Sequence, residues 1–227
     1  MPRKPIEIAG ETFKTQTAAI ERIRGIMASY HNGATVNMFD LAFLQDLLRR
    51  HPDAESKIGI GVASIFVDRN PQYPSTRTFF LVRVDGSSTD FSFMECLRPT
   101  PHDKKVLRAF RAAVEPYTLQ FKRDHFDRVG EPAICPITGE SIRFVGSHVD
   151  HAAPMTFEAL AAAFLAGEGL TPEDVAVAET ADHTYYDRLT DPDLEQRWID
   201  FHNARAVLRV VSRPANLSTL RYGDAGK

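Results

Sequence analysis

The sequence predicts an α+β protein with two modules, and three observations support this prediction. Apolar residues at helical spacing over 15–31 and 38–50 are followed by β-branched and aromatic runs within 57–97. The stretch Pro99-Thr100-Pro101-His102 then interrupts the pattern as a domain boundary would. Short apolar runs later flank a turn at Thr138-Gly139-Glu140. The expected parts are an α+β domain over 1–99, a linker helix over 100–130 and a second domain over 131–227.

In the first domain, an edge strand within 5–13 leads into a helix that Thr15 or Thr17 can cap. A second helix is expected from Met38 to about Arg50. Both helices carry apolar residues on one side, so both should face the core. Three strands are expected after them, over 57–67, 78–84 and 90–94.

In the second half, a helix with a kink at Pro116 is expected over 103–121. Two β-rich runs, 134–137 and 142–149, should form a hairpin. A helical insertion over about 156–200 follows, with helices expected from Phe157, after Thr171 and over 191–204. A strand over 208–211 then leads to a helix for which Ser212 is a suitable N-cap and Pro214 suits the first turn.

Composition indicates an ordinary globular chain of 227 residues, 43% of them hydrophobic. No apolar run has the length of a membrane span, and the start MPRKPIEIAG lacks the apolar core of a signal peptide. We therefore expect a cytoplasmic protein without membrane contact. Cys96 and Cys135 are too few for a zinc knuckle of four cysteines.

Charge is distributed unevenly along the chain, whose formal net charge is −3. Residues 150–195 contain one basic and 11 acidic residues, whereas 196–227 contain six basic and two acidic ones. So acidic a segment repels phosphate groups. The insertion is therefore expected to fold out of the site and either face away from an anionic substrate or act as a gate.

The Asp150-His151 pair ends the second run of the hairpin and places an oxygen ligand beside an imidazole. Neighbouring residues on a strand point to opposite faces unless the strand ends or bulges there. The pair can therefore divide two tasks. Asp150 can hold a hard divalent cation, while His151 takes a proton from water.

The motifs CPITG, VDHAAP, WIDFH, AVLRVV and NLS, in this order, resemble the HNH or ββα-metal endonuclease family. The resemblance implies that His151 is the general base and that Asp150 and Asn216 bind one catalytic Mg²⁺ or Mn²⁺. It also implies DNA as the substrate, with RNA as the alternative, and a role in restriction or phage defence.

Two departures from the family pattern are visible. The base and the last ligand are unusually far apart in sequence, and Ala206 and Val207 stand where the middle Asn of the motif is expected. His202 and Asn203 are the candidates to replace that Asn, and we favour His202. The remaining candidates contact phosphate: Arg213 at the catalytic centre, and His148, Arg209 and Arg221 as nucleic-acid-binding residues.

The first domain has its own resemblance. The motifs FKT, LLRRHPDAESKIGIGV and FFLVRVDGSSTDFSFMECL are similar to the DCL domain, named for defective chloroplasts and leaves, over roughly 11–98. This domain also occurs at the end of plant-specific RNA polymerase subunits. The resemblance implies a module for nucleic-acid recognition and assigns no catalytic residue.

A non-catalytic nucleic-acid-binding protein with a degenerate nuclease domain is the alternative. The missing middle Asn and the acidic insertion favour it, while the intact Asp150, His151 and Asn216 oppose it. A hydrolase with a Ser-His-Asp triad is excluded because the sequence has no nucleophile elbow.

Overall fold

The computed structural model describes residues 5–71, 73–178, 182 and 187–219. Its contacts divide the chain into two units that meet in sequence between Pro101 and His102. Asp182 belongs to the first unit, where its carboxylate pairs with Arg83 at 2.7 Å. Helices and small antiparallel sheets make up both units, so the expected α+β class is confirmed.

The first unit contains a hairpin, a four-stranded sheet and four helices among its described residues. In chain order these are β1 (Ile6–Ile8), β2 (Glu11–Phe13), α1 (Gln16–Ala28), β3 (Ala34–Thr35), α2 (Met38–Leu48), α3 (Ala54–Ile58), β4 (Val62–Arg69), β5 (Arg77–Arg83), β6 (Ser88–Phe91) and α4 (Phe93–Leu97). The sheet order is β3-β4-β5-β6, and each neighbouring pair is antiparallel.

The core of the first unit lies between one face of this sheet and the helices α1, α2 and α4. Ile65 pairs with Leu81, and Val67 pairs with Phe79, so these four apolar side chains share the covered face. Thr15 caps α1 by accepting a hydrogen bond from the Ala18 amide, as the sequence predicts. Local capping therefore sets the start of α1, and packing of its apolar side against the sheet stabilises it.

Two strand predictions in this unit need correction. The expected strand over 57–67 begins only at Val62, and the expected strand over 90–94 ends at Phe91 because α4 follows it. Gly59 and Gly61 both have positive φ, which interrupts extended backbone before β4. A Cβ at Gly59 would also lie 3.1 Å from Arg83 Cδ, a tight contact that adds to the preference for glycine there.

The second unit contains three longer helices and two separate two-stranded sheets among its described residues. The elements are α5 (His102–Val129), β7 (Ala133–Ile134), β8 (Ser141–Ile142), β9 (Ser147–His151), α6 (Phe157–Glu168), a 3₁₀ turn (Pro172–Asp174), α7 (Pro192–Arg205), β10 (Leu208–Ser212) and a π-helical turn (Ala215–Thr219). β7 pairs with β8, and β9 pairs with β10.

The predicted hairpin is shorter than expected because the run 142–149 is not one strand. β8 ends at Ile142, residues 143–146 form a turn, and Gly146 in this turn has φ of 91°. β9 then begins at Ser147 and pairs with the distant β10. The helix expected after Thr171 is also reduced to a single 3₁₀ turn.

Helix α5 is part of the core of the second unit and does not act as a free linker. Phe110 is fully buried and stacks on Trp198 of α7 at 4.6 Å between ring centroids. The Trp198 Nε1–H also donates to the Phe110 carbonyl oxygen at 2.8 Å. Helices α6 and α7 of the insertion complete this core, since their apolar faces need a partner.

Helix α5 has 28 residues and carries charged side chains along its length. Within the described part of the chain, no helix combines the length and the apolar character that crossing a membrane requires.

Replacing Phe110 tests whether α5 supports the second unit. Phe110→Ala removes a buried ring from the stack with Trp198, so we expect the free energy of unfolding to fall by about 3–5 kcal/mol. Urea denaturation followed by tryptophan fluorescence measures this change. The control is Lys104→Ala on the exposed side of the same helix, expected within about 0.5 kcal/mol of wild type. Equal stability of the two variants would contradict a core role for α5.

Candidate active site

The candidate site is built on β9, whose pairing with β10 is continuous from Ser147↔Ser212 to His151↔Leu208. No bulge interrupts these five pairs, so side chains alternate strictly between the two faces. His148 and Asp150 therefore share one face with Arg209. His151 points to the opposite face. We call the first the polar face and the second the histidine face.

On the polar face, Asp150 is bonded to Arg209, its cross-strand neighbour. Arg209 Nε donates to Asp150 Oδ2 at 2.7 Å, and both side chains are largely shielded from solvent. Arg209 was predicted to bind nucleic acid, but its guanidinium is used here to balance the charge of Asp150. A charge-assisted bond of this kind fixes the carboxylate in place.

Asn216 reaches the same face from the turn after β10. Ser212 caps this turn as predicted, because its Oγ accepts a hydrogen bond from the Ala215 amide at 3.3 Å. Asn216 Nδ2 then donates to His148 Nδ1 at 2.9 Å. Asp150 and Asn216 are thus bonded to different partners on one face, Arg209 and His148.

Positive side chains border His148. Lys122 of α5 donates its Nζ proton to the Ser147 carbonyl oxygen at 2.6 Å and lies over the Phe144 ring. Arg213 follows β10 and is exposed. Burial lowers the pKa of His148, and the charges of Lys122 and Arg213 lower it further. Arg221, the other predicted phosphate contact, lies outside the described residues.

On the histidine face, His151 contacts His202 of α7. Their Nε2 atoms are 2.8 Å apart, and His202 Nδ1 lies 3.1 Å from Asn203 Oδ1. The amide oxygen can only accept, so His202 Nδ1 carries a proton and its Nε2 accepts one from His151 Nε2–H. This assignment leaves His151 Nδ1 without a proton. Helix α7, at the end of the insertion, thus brings His202 to this face, next to the residue that the resemblance implies as the base.

Aromatic packing holds the two imidazoles neutral. The His151 ring lies 5.3 Å from Phe157 and the His202 ring 5.7 Å from Trp198, measured between centroids. Burial, then the neighbouring charges of His202 and Arg111, lower the pKa of His151 to about 4. Burial likewise lowers the pKa of His202, against a smaller opposing effect of its Asn203 bond.

Cys135 joins the β7–β8 hairpin to the base of the site. Its buried Sγ accepts a hydrogen bond from the Ser212 amide at 3.2 Å. Burial raises the pKa of this thiol, but hydrogen bonds from Thr138 and the Ser212 amide outweigh it and bring the pKa to about 6. Through this hydrogen bond Cys135 supports Ser212, the last residue of β10.

The side chains of the polar face can bind a divalent cation only if Asn216 is one of the ligands. Among the described residues, no three His, Cys, Asp or Glu side chains converge as a metal site. The polar face instead offers one carboxylate, one imidazole and one amide, from Asp150, His148 and Asn216. Carboxylate and amide oxygens are ligands for Mg²⁺ or Mn²⁺, and the Asn216 amide must rotate to present its oxygen beside His148.

Sequence reasoning missed Lys122 and treated His148 only as a phosphate contact. The two-residue spacing of His148 and Asp150 is a signal that both share a strand face, and it could have linked His148 to the ligand set. No local sequence signal points to Lys122, because α5 and β9 are distant in sequence and come into contact only when the chain folds.

Acidification should destabilise the second unit through His151 and His202. Their folded-state pKa values lie below the ordinary 6.5, so their protonation favours the unfolded chain. Their contribution is complete above pH 6.5 and is lost as pH falls toward about 4, the folded-state pKa of His151. We expect His202→Leu to make the free energy of unfolding less dependent on pH, as measured by urea denaturation across this range. Equal pH dependence in wild type and variant would contradict this burial.

Comparisons with known proteins match a part of the chain. A family model described as a protein of unknown function, DUF3223, matches residues 24–97. The chloroplastic protein DCL homolog of Arabidopsis thaliana is 39% identical over 75 residues, which cover 30% of this chain and 34% of that protein. DNA-directed RNA polymerase V subunit 1 of the same plant is 37% identical over 78 residues, covering 33% of this chain and 4% of the subunit.

The chain thus spans about a third of the length of the DCL homolog that it matches. A solution NMR structure of an uncharacterized protein from Rhodospirillum rubrum is 39% identical, covers 41% of this chain and 88% of that chain, and has a TM-score of 0.39. The N-terminal unit therefore contains a DCL-like domain of the DUF3223 family.

Proposed function

We propose that the second unit is a metal-dependent endonuclease that hydrolyses DNA phosphodiester bonds, with RNA as the alternative substrate. One observation carries the proposal. At β9, a carboxylate, an amide and bordering cations share the polar face, and the next residue along the strand is a neutral imidazole, His151. A role in restriction or phage defence rests on the resemblance to HNH nucleases alone.

Asp150 and Asn216 would hold the cation, Mg²⁺ or Mn²⁺. Bound there, it supplies Lewis acidity that polarises the scissile phosphate and stabilises the departing 3′ oxygen. Arg209 orients the Asp150 carboxylate through its 2.7 Å bond. The Ser212 cap fixes where Asn216 leaves the turn.

His151 would accept the proton of the attacking water at Nδ1. Its Nε2–H is directed to His202, so Nδ1 is the unprotonated nitrogen of a ring that is neutral at physiological pH. His151 is the last residue of β9, and a phosphate bound at the strand end can reach both faces. His202 then takes the place that the middle Asn has in the family.

Positive charge beside His148 would hold the phosphate, from the exposed Arg213 and the half-buried Lys122. Arg213 lies directly after β10, and Lys122 lies beside His148. Fixed cations stabilise an anionic transition state, which the acidic insertion cannot do. The DCL-like domain would select the nucleic acid, a role supported by its similarity to a stretch of RNA polymerase V subunit 1.

A non-catalytic nucleic-acid-binding protein is the second candidate. Two observations favour it: Arg209 already balances the charge of Asp150, and His151 points away from the polar face. In this case the second unit would bind nucleic acid through its cations without cleaving it.

Plasmid cleavage separates the two candidates. With Mg²⁺ or Mn²⁺ present, the full chain should nick plasmid DNA, and His151→Ala should slow single-turnover nicking by at least about 100-fold because the general base is lost. The exposed His31→Ala in the first unit is the control and should cleave like wild type. Nicking that persists in His151→Ala would remove His151 from the mechanism. Failure of wild type to cleave any DNA or RNA would favour the binding protein.

Arg213 should contribute to nucleic-acid affinity through phosphate contact. Arg213→Ala is expected to weaken duplex DNA binding and to reduce the slope of log affinity against log salt by about 1. Fluorescence anisotropy between about 50 and 200 mM salt measures the slope. The control is Arg143→Ala, an exposed arginine of the same unit whose partner is Glu131. If both variants change the slope equally, Arg213 has no specific role.

A further inference from the structure

We infer that His148 is a third protein ligand of the cation, so that His148, Asp150 and Asn216 form one metal centre that prefers Mn²⁺ to Mg²⁺. This inference rests on the proposed function and adds to it the ligand set and the metal preference. Neither the resemblance nor the ligand pair Asp150 and Asn216 requires His148.

The strand places His148 and Asp150 on one side. They are two residues apart on β9, in a stretch without a bulge, so their Cα atoms are separated by roughly 6.5–7 Å and their side chains leave the same face. Side chains of this length can converge on one ion from such positions. A pair at consecutive positions, such as Asp150 and His151, cannot do so here.

The distance between His148 and Asn216 also fits one coordination shell. Adjacent ligand atoms of an octahedral ion with bonds of about 2.1 Å are about 3 Å apart. The His148 Nδ1 and Asn216 amide atoms are 2.9 Å apart. Rotation of the amide by half a turn exchanges its nitrogen for its oxygen, so that two acceptor atoms, one from each residue, lie side by side where one ion can bind both.

The cross-strand neighbours support this assignment. Val211, opposite His148, is buried and offers no polar atom, so the imidazole turns to Asn216. Arg209, opposite Asp150, binds the carboxylate through Oδ2. The carboxylate therefore has a fixed orientation on the same face of β9 as His148.

A nitrogen ligand changes which metal is favoured. Mg²⁺ binds oxygen ligands and retains water, whereas Mn²⁺, which also favours oxygen ligands, accepts an imidazole in its coordination shell more readily than Mg²⁺ does. With His148 in the shell, the full chain should bind Mn²⁺ at least about ten-fold more tightly than Mg²⁺. With only Asp150 and Asn216 as ligands, the preference should be much smaller.

Metal binding without substrate tests the inference. Free Mn²⁺ is measured by electron paramagnetic resonance during titration of the full chain, and Mg²⁺ affinity follows from displacement of Mn²⁺. We expect His148→Ala to weaken Mn²⁺ binding by about ten-fold or more and Mg²⁺ binding by less than about three-fold. His148→Gln, which offers an oxygen in place of nitrogen, should retain Mg²⁺ binding and lose the preference for Mn²⁺. His31→Ala controls for metal bound by surface histidines.

Each outcome has a distinct meaning. Equal loss of Mn²⁺ and Mg²⁺ affinity in His148→Ala would show that His148 only positions Asn216 and would overturn the inference, as would an unchanged metal preference in His148→Gln. Absence of Mn²⁺ binding by wild type would overturn both the inference and the metal-dependent mechanism. Binding that depends on His148 as expected, without cleavage of any nucleic acid, would support the metal centre and reject the nuclease.

Discussion

The uninterrupted pairing of β9 with β10 is the constraint on which the candidate site depends. It separates adjacent residues, so Asp150 and His151 face different surroundings although they are neighbours in sequence. A slip of the register by one residue would move the Asp150 carboxylate away from Arg209 and toward the rings of Phe157 and His202. The contrast between the charged groups on the polar face and the aromatic rings on the histidine face therefore favours one register of β9. That register determines which side chains form the site.

The acidic insertion is compatible with a neighbouring anion site because arginines of the helical core pair with several of its carboxylates. Glu158 pairs with Arg111, Glu168 with Arg197 and Asp187 with Arg108. Such exposed pairs add little stability. They do, however, reduce the negative field of the insertion, and they pair two cations in the first half of α5, Arg108 and Arg111, with carboxylates. Lys122, further along α5, contacts β9 instead.

Much of the secondary structure could be predicted because its signals are local. Thr156 caps α6 and Asp191 caps α7. Both residues are typical N-caps that stand directly before apolar residues at helical spacing, so the sequence predicts both helix starts. The interruption of the run 142–149 at residues 143–146 could not be predicted from β-branched content, because that content is the same whether or not the strand is interrupted. For the site, the resemblance to HNH nucleases led to Asp150, His151, His202 and Asn216. The division of these residues between two faces, and the contact of His148 with Asn216, depend on a partner strand that lies far away in sequence.

Helix α5 serves two apolar clusters of the second unit at once. Its first half, with Phe110, belongs to the cluster around Trp198, and Phe126 near its end belongs to the cluster beneath β10. A truncated protein that starts at residue 131 would lose both contributions and expose the Trp198 indole to water. A fragment meant to fold by itself should consequently start at His102, so that the whole of α5 remains attached to the strands and helices that it covers.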